Sequence, residues 1–512
     1  MSLDQFTDDE KLLYSNKQYF DASIRIAQKL FEEELYEDCI NYIQKTAYFG
    51  WFNFSGYYKS HQLEILLAKI QQKILPPFSS HHKSYFKTNK VLHICSEVHI
   101  SGGHSKLLYN WIKNDVSKKH SILTTRQSVD ELKSVSENYI DDILDIEYLS
   151  VKSDTIIESV KLLNQLQLNS FDVIILHIHP DETITNIVFS QKEITTPLWF
   201  INHADHVFWL GTSVADKILQ IRDSNINIDL ERRGISIERQ FYLPIPIDDK
   251  SELNDVDIKD GEKINILTTG TSYKFNPNEK YNFLREAYKI VQENPNVVFN
   301  IVGLSQDSKY AQEYQHTRII LHGGVSISQL EDIEKSTHIY VEGFPMASFT
   351  ALLQTALRRV PFVLHYQPLP LFKLFNESND NAIIYPKNLD EWHSNLTRLI
   401  KDRKSRIETI QKQHEYISNN FSIKVWKSRV AELYNQNTQP HSFWESSPDI
   451  YYNGDNEKLL VTIDKRKISH YDFTEGLSLC GKISVYLMSK SRNINVNYIG
   501  KKRLLRYLLN KL

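Results

Sequence analysis

A chain of 512 residues with 41% apolar and 24% charged residues exceeds what one ordinary core accommodates, so two or three domains are expected in a folded, soluble protein. The formal net charge of -3 gives no electrostatic reason to expect nucleic acid as a partner. Three scattered cysteines, Cys39, Cys95 and Cys480, lack metal-ligand spacing and predict a reducing, cytoplasmic compartment. The acidic stretch from Met1 to Glu10 does not read as a secretory leader. No apolar run of about 18 residues exists, so no membrane-spanning helix is expected.

In chain order, residues 8–75 carry helical periodicity, with Leu12, Leu13, Tyr19 and Phe20 continued by Ile24, Ile26, Ala27, Leu30 and Phe31. Glu34–Ile40 starts a second helix and Gln62–Ile70 a third. This predicts a helical extension over residues 1–80 with a tetratricopeptide-like character, closed by Pro76-Pro77. Lys90–Glu97 is a short β-branched strand followed by Ser101-Gly-Gly-His104 and a helix over Ser105–Asn114, the opening of a doubly wound α/β domain. Further strands are expected at Ser121–Thr125, Phe171–His177 and Leu198–Asn202, with a helix over Thr155–Leu166 between them. Alternation of this kind predicts a parallel sheet within residues 88–245.

Residues 246–262 are acidic and nearly devoid of packing residues, which predicts a linker. A second α/β series then spans residues 262–435. Strands are expected at Ile264–Thr269, Val297–Val302 and Ile319–His322, and helices at Tyr281–Glu293, Ser328–Lys335, 389–401 and 403–434. Two successive α/β domains imply a cleft between lobes. Residues 436–512 form a C-terminal appendage. Leu459–Ile468 reads there as strand and turn, and residues 490–512 carry seven Lys/Arg and no acid beside leucines at helical spacing. That end is read either as a peripheral contact with an anionic membrane or as a helix docked on the protein's own surface.

The stretch from Ile339 to Val363 is the most informative. It reads as strand, Gly/Pro turn, helix and second strand, with Ser348-Phe349-Thr350 where the helix begins. Such a unit offers free backbone N–H groups and a positive helix end to a phosphate. The first turn of the same lobe, Thr268–Asn278, places Lys274 in a Gly/Ser/Thr-rich loop just after a strand, where an ammonium can meet a diphosphate.

With these residues in view, the chain resembles the nucleotide-sugar-dependent glycosyltransferases of the GT-B fold over roughly residues 88–435. Tyr273–Pro277, Glu293–Gly303 and Arg318–His322 resemble the donor lobe of the O-GlcNAc-transferase type. Glu342-Gly-Phe344, Leu353–Thr355 and Val360-Pro361 resemble the Glu-Gly-Phe element of family-four glycosyltransferases. The resemblance implies two Rossmann-like lobes facing a cleft and a nucleoside-diphosphate sugar, UDP-linked, held by the second lobe. It places Lys274, Thr271, His322, Gly343, Ser348, Phe349 and Thr350 around the donor and Glu342 beside the donor sugar. The family's second glutamate falls on Gln354, twelve residues from Glu342 where the family has eight. Ser101-Gly102-Gly103-His104 resembles the glycine loop of the first lobe. No cofactor or obligatory metal is implied. The acceptor would be a glycan, glycoprotein or lipid-linked saccharide at the inner face of a bacterial membrane or in the cytoplasm. Two alternatives are a non-hydrolysing nucleotide-sugar epimerase and a non-catalytic assembly subunit.

Histidines are the first lobe's other signal. His177-Ile-His179-Pro-Asp181-Glu182 and Asn202-His203-Ala-Asp205-His206 both end strands at the carboxyl edge, where parallel sheets place ligands. One reading is a metal site built from His-x-His and His-x-Asp-His. A second makes Asp205 or His203 the general base for an acceptor hydroxyl, with His206 orienting and His104 as a further candidate. A third is a structural network capping strand ends. Arg232-Arg233-Gly234 reads as a solvated turn or an anion contact, and Asp255-Val-Asp257, in the linker without strand context, is discounted as a metal motif.

Overall fold

The computed structural model describes residues 7–76, 89–100, 103–140, 145–191, 194–247, 259, 261–377, 382–436, 438, 448–463 and 473–491. Gly102, the Asp255–Asp257 motif and residues 492–512 lie outside them. The chain forms two compact units. One joins Met1–Ile221, Ile226–Tyr242 and Gln436–Leu512; the other joins Arg222–Asn225 and Leu243–Asn435.

The first unit opens with α1 (Asp8–Glu32), α2 (Tyr36–Phe52) and α3 (His61–Ile74). A capping box starts α1: Glu10 N–H donates to Thr7 Oγ1 and Thr7 N–H to Glu10 Oε2 at 2.8 Å, so two orphan donors satisfy each other. Seven parallel strands follow, β1 (Lys90–Cys95), β2 (Lys119–Thr124), β3 (Glu147–Ser150), β4 (Val173–His177), β5 (Leu198–Asn202), β6 (Lys217–Gln220) and β7 (Gln240–Tyr242). The connections carry α4 (Gly103–Asn114), α5 (Val129–Ser136), α6 (Ile156–Gln165), α7 (Ile184–Val188) and α8 (Ile226–Arg233). The sheet order is β3-β2-β1-β4-β5-β6-β7, so the winding reverses between β1 and β4. Strands β4 and β5 are buried along their whole length, as a parallel sheet covered on both faces requires.

The N-terminal helices share one apolar core with this sheet. Phe20 of α1 meets Phe208 edge to face at 5.2 Å, and Leu63, Leu66 and Leu67 of α3 join the cluster that holds Leu92, Ile174 and Trp209. A polar anchor fixes the docking. The buried Glu64 carboxylate accepts from the backbone N–H groups of Gly211 (2.7 Å), Thr212 (3.1 Å) and Ser213 (2.9 Å), in the loop that follows β5.

The second unit repeats the pattern. It contains β8 (Ile264–Thr269), α9 (Phe283–Glu293), β9 (Val297–Val302), β10 (Ile319–Gly323), α10 (Ile327–Lys335), β11 (Ile339–Val341), α11 (Phe349–Leu357), β12 (Phe362–Val363), α12 (Leu389–Lys401), α13 (Arg403–Phe421) and α14 (Ile423–Asn435). All five strands are parallel in the order β10-β9-β8-β11-β12, with the reversal between β8 and β11. The helix expected over 403–434 is two helices. Ser422 is extended at ψ 154°, and Ile247 N–H takes the Phe421 carbonyl at 3.3 Å instead of leaving it to the helix ladder.

In the C-terminal part of the first unit, α15 (Asp455–Ile463) and α16 (Leu479–Ser491) overturn the strand expected from Leu459. Leu459, Leu460 and Val461 are buried in the helix, and Glu457 accepts from Tyr58 Oη at 2.6 Å and Arg232 Nε at 3.1 Å. Packing against α1 overrides the β propensity of a short apolar run. Arg233 is likewise no solvated turn: it is buried and paired with Asp229, with its guanidinium over the Trp209 ring. Among the described residues no helix is long and apolar enough to cross a membrane.

The Glu64 anchor is testable. Glu64→Ala leaves three buried N–H groups without their acceptor and should lower unfolding free energy by ~3 kcal/mol. Glu64→Gln keeps one acceptor oxygen and should lose less. Denaturant midpoints for the three proteins measure this, and equal midpoints would refute the anchor.

Candidate functional site

In the second unit the reversal of strand order brings the loops after β8 and β11 together. Lys274, in a short 3-10 turn after β8, extends its ammonium to the Ala347 carbonyl at 2.9 Å and Ser348 Oγ at 3.4 Å, across the loop that enters α11. Burial pushes the Lys274 ammonium down to about 8, and the nearby Arg222 guanidinium adds to the shift. No described carboxylate pairs with Lys274. Arg222 is itself held rigid by the carbonyls of Lys373 (2.7 Å) and Leu371 (3.2 Å).

The glycines allow this crossing. A Cβ on Gly303, whose φ is +92°, would lie 2.0 Å from the Gly270 carbonyl oxygen, and one on Gly343 would lie 2.8 Å from the Phe275 ring. Ser348 is the N-cap of α11, yet its side chain makes no capping bond. The first-turn N–H groups of α11 therefore receive no capping acceptor from Ser348, whose hydroxyl lies 3.4 Å from the Lys274 ammonium instead.

Glu342 ends β11 on the same edge. Its Oε2 accepts from His365 N–H at 2.7 Å, while Oε1 is buried with no partner. Burial pushes its carboxyl up to about 8, partly offset by the His365 bond and by Arg222. At neutral pH this carboxyl is therefore mostly protonated and able to donate. Thr350 and Gln354 stand one helical turn apart on α11 and share a face. Phe349 does otherwise: its ring packs on Phe375 (5.3 Å) and Phe421 (5.7 Å) in the core, leaving only its backbone for a ligand. Thr271 is exposed at the start of the Lys274 turn. His322 sits near the end of the edge strand β10, bonded to Asn300 Oδ1 at 3.0 Å.

No protein-family model matches the sequence, and no curated protein matches it. Solved structures do. Anabaena Alr3699/HepE, in complex with UDP and glucose, superposes with a TM-score of 0.51 at 11% identity, covering 68% of this chain and 99% of that one. TarM gives 0.52 at 10% identity, covering 69% and 99%. A Staphylococcus aureus TarM variant with UDP, fondaparinux and alpha-GlcNAc-glycerol gives 0.50 at 10%, covering 68% and 100%. The chain has the GT-B fold.

The first GT-B sheet gathers the histidines. His104, near the start of α4, donates from Nε2 to the His177 carbonyl at 2.8 Å, and His203 donates from Nδ1 to the Ile201 carbonyl at 3.2 Å. Since a carbonyl can only accept, these bonds fix both tautomers. His104 Nδ1 and His203 Nε2 are left as bare acceptors on rings 4.5 Å apart. Burial pushes His104 down to about 3 and His203 down to about 4, so both rings are neutral. Asp205 is buried, with Oδ1 bonded to His206 Nδ1 at 3.1 Å. Gly103 is exposed as the first residue of α4.

Among the described residues no group of three or more His, Cys, Asp or Glu could hold a metal ion. The metal centre considered for His177, His179, His203 and His206 does not assemble, because His177 Nε2 is engaged by His93 and His206 by Asp205. Asp181 and Glu182 act structurally instead. Arg126 pairs with both, at 3.1 and 3.5 Å, and Ser96 and Thr125 donate to Glu182, fastening the ends of β1, β2 and β4. Sequence reading missed Arg222, which follows β6 in an unremarkable Ile-Arg-Asp step far from Lys274 in the chain. It also missed His93 and His120, which sit inside strands.

Neutral buried histidines make the fold acid-sensitive. The unfolded state takes up protons below the ordinary imidazole value of about 6.5 that the folded state refuses, so stability is complete above that pH and falls on acidification. The loss should continue until the folded rings protonate, near 4 for His203 and near 3 for His104. These two alone predict a loss of about 2 kcal/mol between pH 6.5 and 5.5, steepening toward roughly 3 kcal/mol per pH unit below that. Denaturation at pH 6.5 and 5.5 checks it; equal stability at the two would show that the rings are not held neutral.

Proposed function

We propose that the protein is a glycosyltransferase that moves a sugar from a nucleoside-diphosphate sugar, UDP-linked, to an acceptor hydroxyl of a bacterial glycan, glycoprotein or lipid-linked saccharide. The observation that carries this reading is Lys274: a part-buried ammonium, crowded by Arg222 and unpaired with any described carboxylate, beside the uncapped start of α11. Such a place lacks only an anion, and a diphosphate meets it with charge and with acceptor oxygens. The GT-B fold and the UDP bound by HepE and by the TarM variant support the same ligand class.

In this reading Lys274, Arg222 and the α11 N–H groups stabilise the charge that develops on the departing diphosphate, with no metal needed for that role. Glu342 and Gln354 face the donor's sugar and ribose. His104 Nδ1 and His203 Nε2 are the acceptor-side bases: in an inverting transfer one takes the hydroxyl proton, and in a retaining transfer both orient the acceptor. Asp205, through the His206 bond and its charge near His203, positions that pair.

Three outcomes test the reading. UDP should raise the thermal midpoint more than GDP. Lys274→Ala should weaken UDP binding ~10- to 100-fold, the worth of a lost charge-assisted bond. Wild-type affinity should also fall as pH rises through about 8, where the ammonium discharges. No shift with any nucleotide would overturn the assignment.

On the acceptor side, His104→Ala and His203→Ala should each cut turnover by ~10²-fold or more if the ring is the base, with the UDP midpoint shift intact. Release of UDP from UDP-sugars in the presence of a saccharide acceptor measures it. Full activity in both variants would exclude them as bases.

A further inference from the structure

Three further histidines form a continuous line through the first sheet. His120 lies opposite Val91, His93 is on β1 itself, and His177 lies opposite Cys95. The positions on β1 are thus 91, 93 and 95, spaced by two, which puts all three side chains on one face of the sheet. Each step also moves toward the carboxyl edge where His104 and His203 stand. His120 Nδ1 and His93 Nε2 are 3.0 Å apart, and so are His93 Nδ1 and His177 Nε2. All three rings are almost completely buried.

The line has a direction. His120 Nε2 is 2.9 Å from the Asp115 carbonyl, which can only accept, so that nitrogen carries the proton. In the neutral chain His120 Nδ1 must then accept from His93 Nε2, and His93 Nδ1 from His177 Nε2. The series ends at His177 Nδ1, a buried lone pair with no partner among the described residues. That open end belongs to the residue whose carbonyl anchors His104, with the two rings 6.0 Å apart. At the far end the Asp115 carboxylate lies 3.9 Å from His120 Nε2.

We propose that His177, His93 and His120 are a proton relay that carries a proton between the His104/His203 edge of the sheet and the Asp115 end, where His120 stores it. A proton leaves a protonated His104 ring, breaking its Nδ1–H bond, and binds His177 Nδ1. The His177 Nε2 proton passes to His93 Nδ1, and the His93 Nε2 proton passes to His120 Nδ1. One N–H bond forms for each that breaks. His177 and His93 finish in the opposite tautomer, and His120 becomes an imidazolium beside the Asp115 carboxylate. The groups facing the relay are Asp115 and Lys118 at His120, with Lys118 itself pairing with Asp172, and His104 and His203 at His177. Burial holds all three rings below the ordinary imidazole value, which keeps the resting chain neutral. A purely structural cluster would need no open acceptor at the ligand edge. These residues position and pass a proton and touch no substrate. Their service to acceptor activation rests on the transferase reading; the relay itself does not.

The test is nitrogen NMR of the full chain labelled at histidine, with signals assigned through single variants. At pH 7 all three rings should carry the proton on Nε2. On acidification His93 should switch to the Nδ1–H form in step with the appearance of charged His120. His93→Gln keeps both hydrogen bonds but cannot pass a proton, so His120 should then charge with His177 unchanged. Turnover in that variant should fall at least tenfold with UDP binding intact. A His93 ring that stays Nε2–H until the protein unfolds overturns the relay, as does unfolding before any of the three takes a proton. A tautomer switch without transferase activity under any acceptor keeps the relay and refutes the transferase reading.

Discussion

The second unit is organised around a charge that no described carboxylate balances. Lys274 is tied to the Ala347 carbonyl and Ser348 hydroxyl, which are dipoles and not anions, and Arg222 opposes it. Removing an ammonium from water without a carboxylate costs several kcal/mol unless something else completes its shell. That cost explains the rest of the edge. The loops after β8, β9 and β11 must approach closely enough to present carbonyls, and Gly303 and Gly343 are the positions where a side chain would prevent it. In the proposed reading an incoming anion relieves all of these tensions at once.

Glu342 is the complementary case. The same edge that leaves a cation unpaired also leaves a carboxyl without its full complement of donors, and burial resolves that by keeping its proton on. A cation and a carboxyl that keeps its proton thus sit on adjacent loops. Neither property follows from residue identity alone: each is imposed by the depth at which the β8 and β11 loops place the group. The first unit shows the same logic with imidazoles, whose charge is suppressed and whose tautomers are dictated by backbone carbonyls.

Much of this architecture was legible in the sequence. Ile264–Thr269, Val297–Val302 and Leu198–Asn202 match their strands residue for residue, because buried parallel strands read as short apolar runs bounded by turn residues. Lys274, Glu342 and Ser348 stand out in the sequence as candidates because each sits within a few residues of a strand end. What stayed hidden depends on distant chain. Arg222 reaches the donor edge only because residues 222–225 belong to the second unit, while the chain on both sides of them belongs to the first. β3, β6 and β7 are only three or four residues long, too short to carry a period. The run at Leu459 was misread because its neighbours on α1 lie more than four hundred residues earlier.

The same long-range dependence bears on the N-terminal helices. Periodicity alone presents them as an extension, a module that a catalytic fold could lack. Glu64 argues against detachability. Its carboxylate holds three successive N–H groups of Gly211–Ser213, and that loop continues directly from the His203–Asp205 turn through Phe208 and Trp209, both in the shared core. A loop of this kind has no strand partner for its donors. Without α3 those donors would have to find water, and the segment that orients His203 would lose its fixed end. The helices therefore fix the His203 turn through backbone hydrogen bonding, supplying the acceptor that lets an irregular loop be both buried and rigid. This places a structural requirement of the His203 edge in a part of the sequence more than a hundred residues before it.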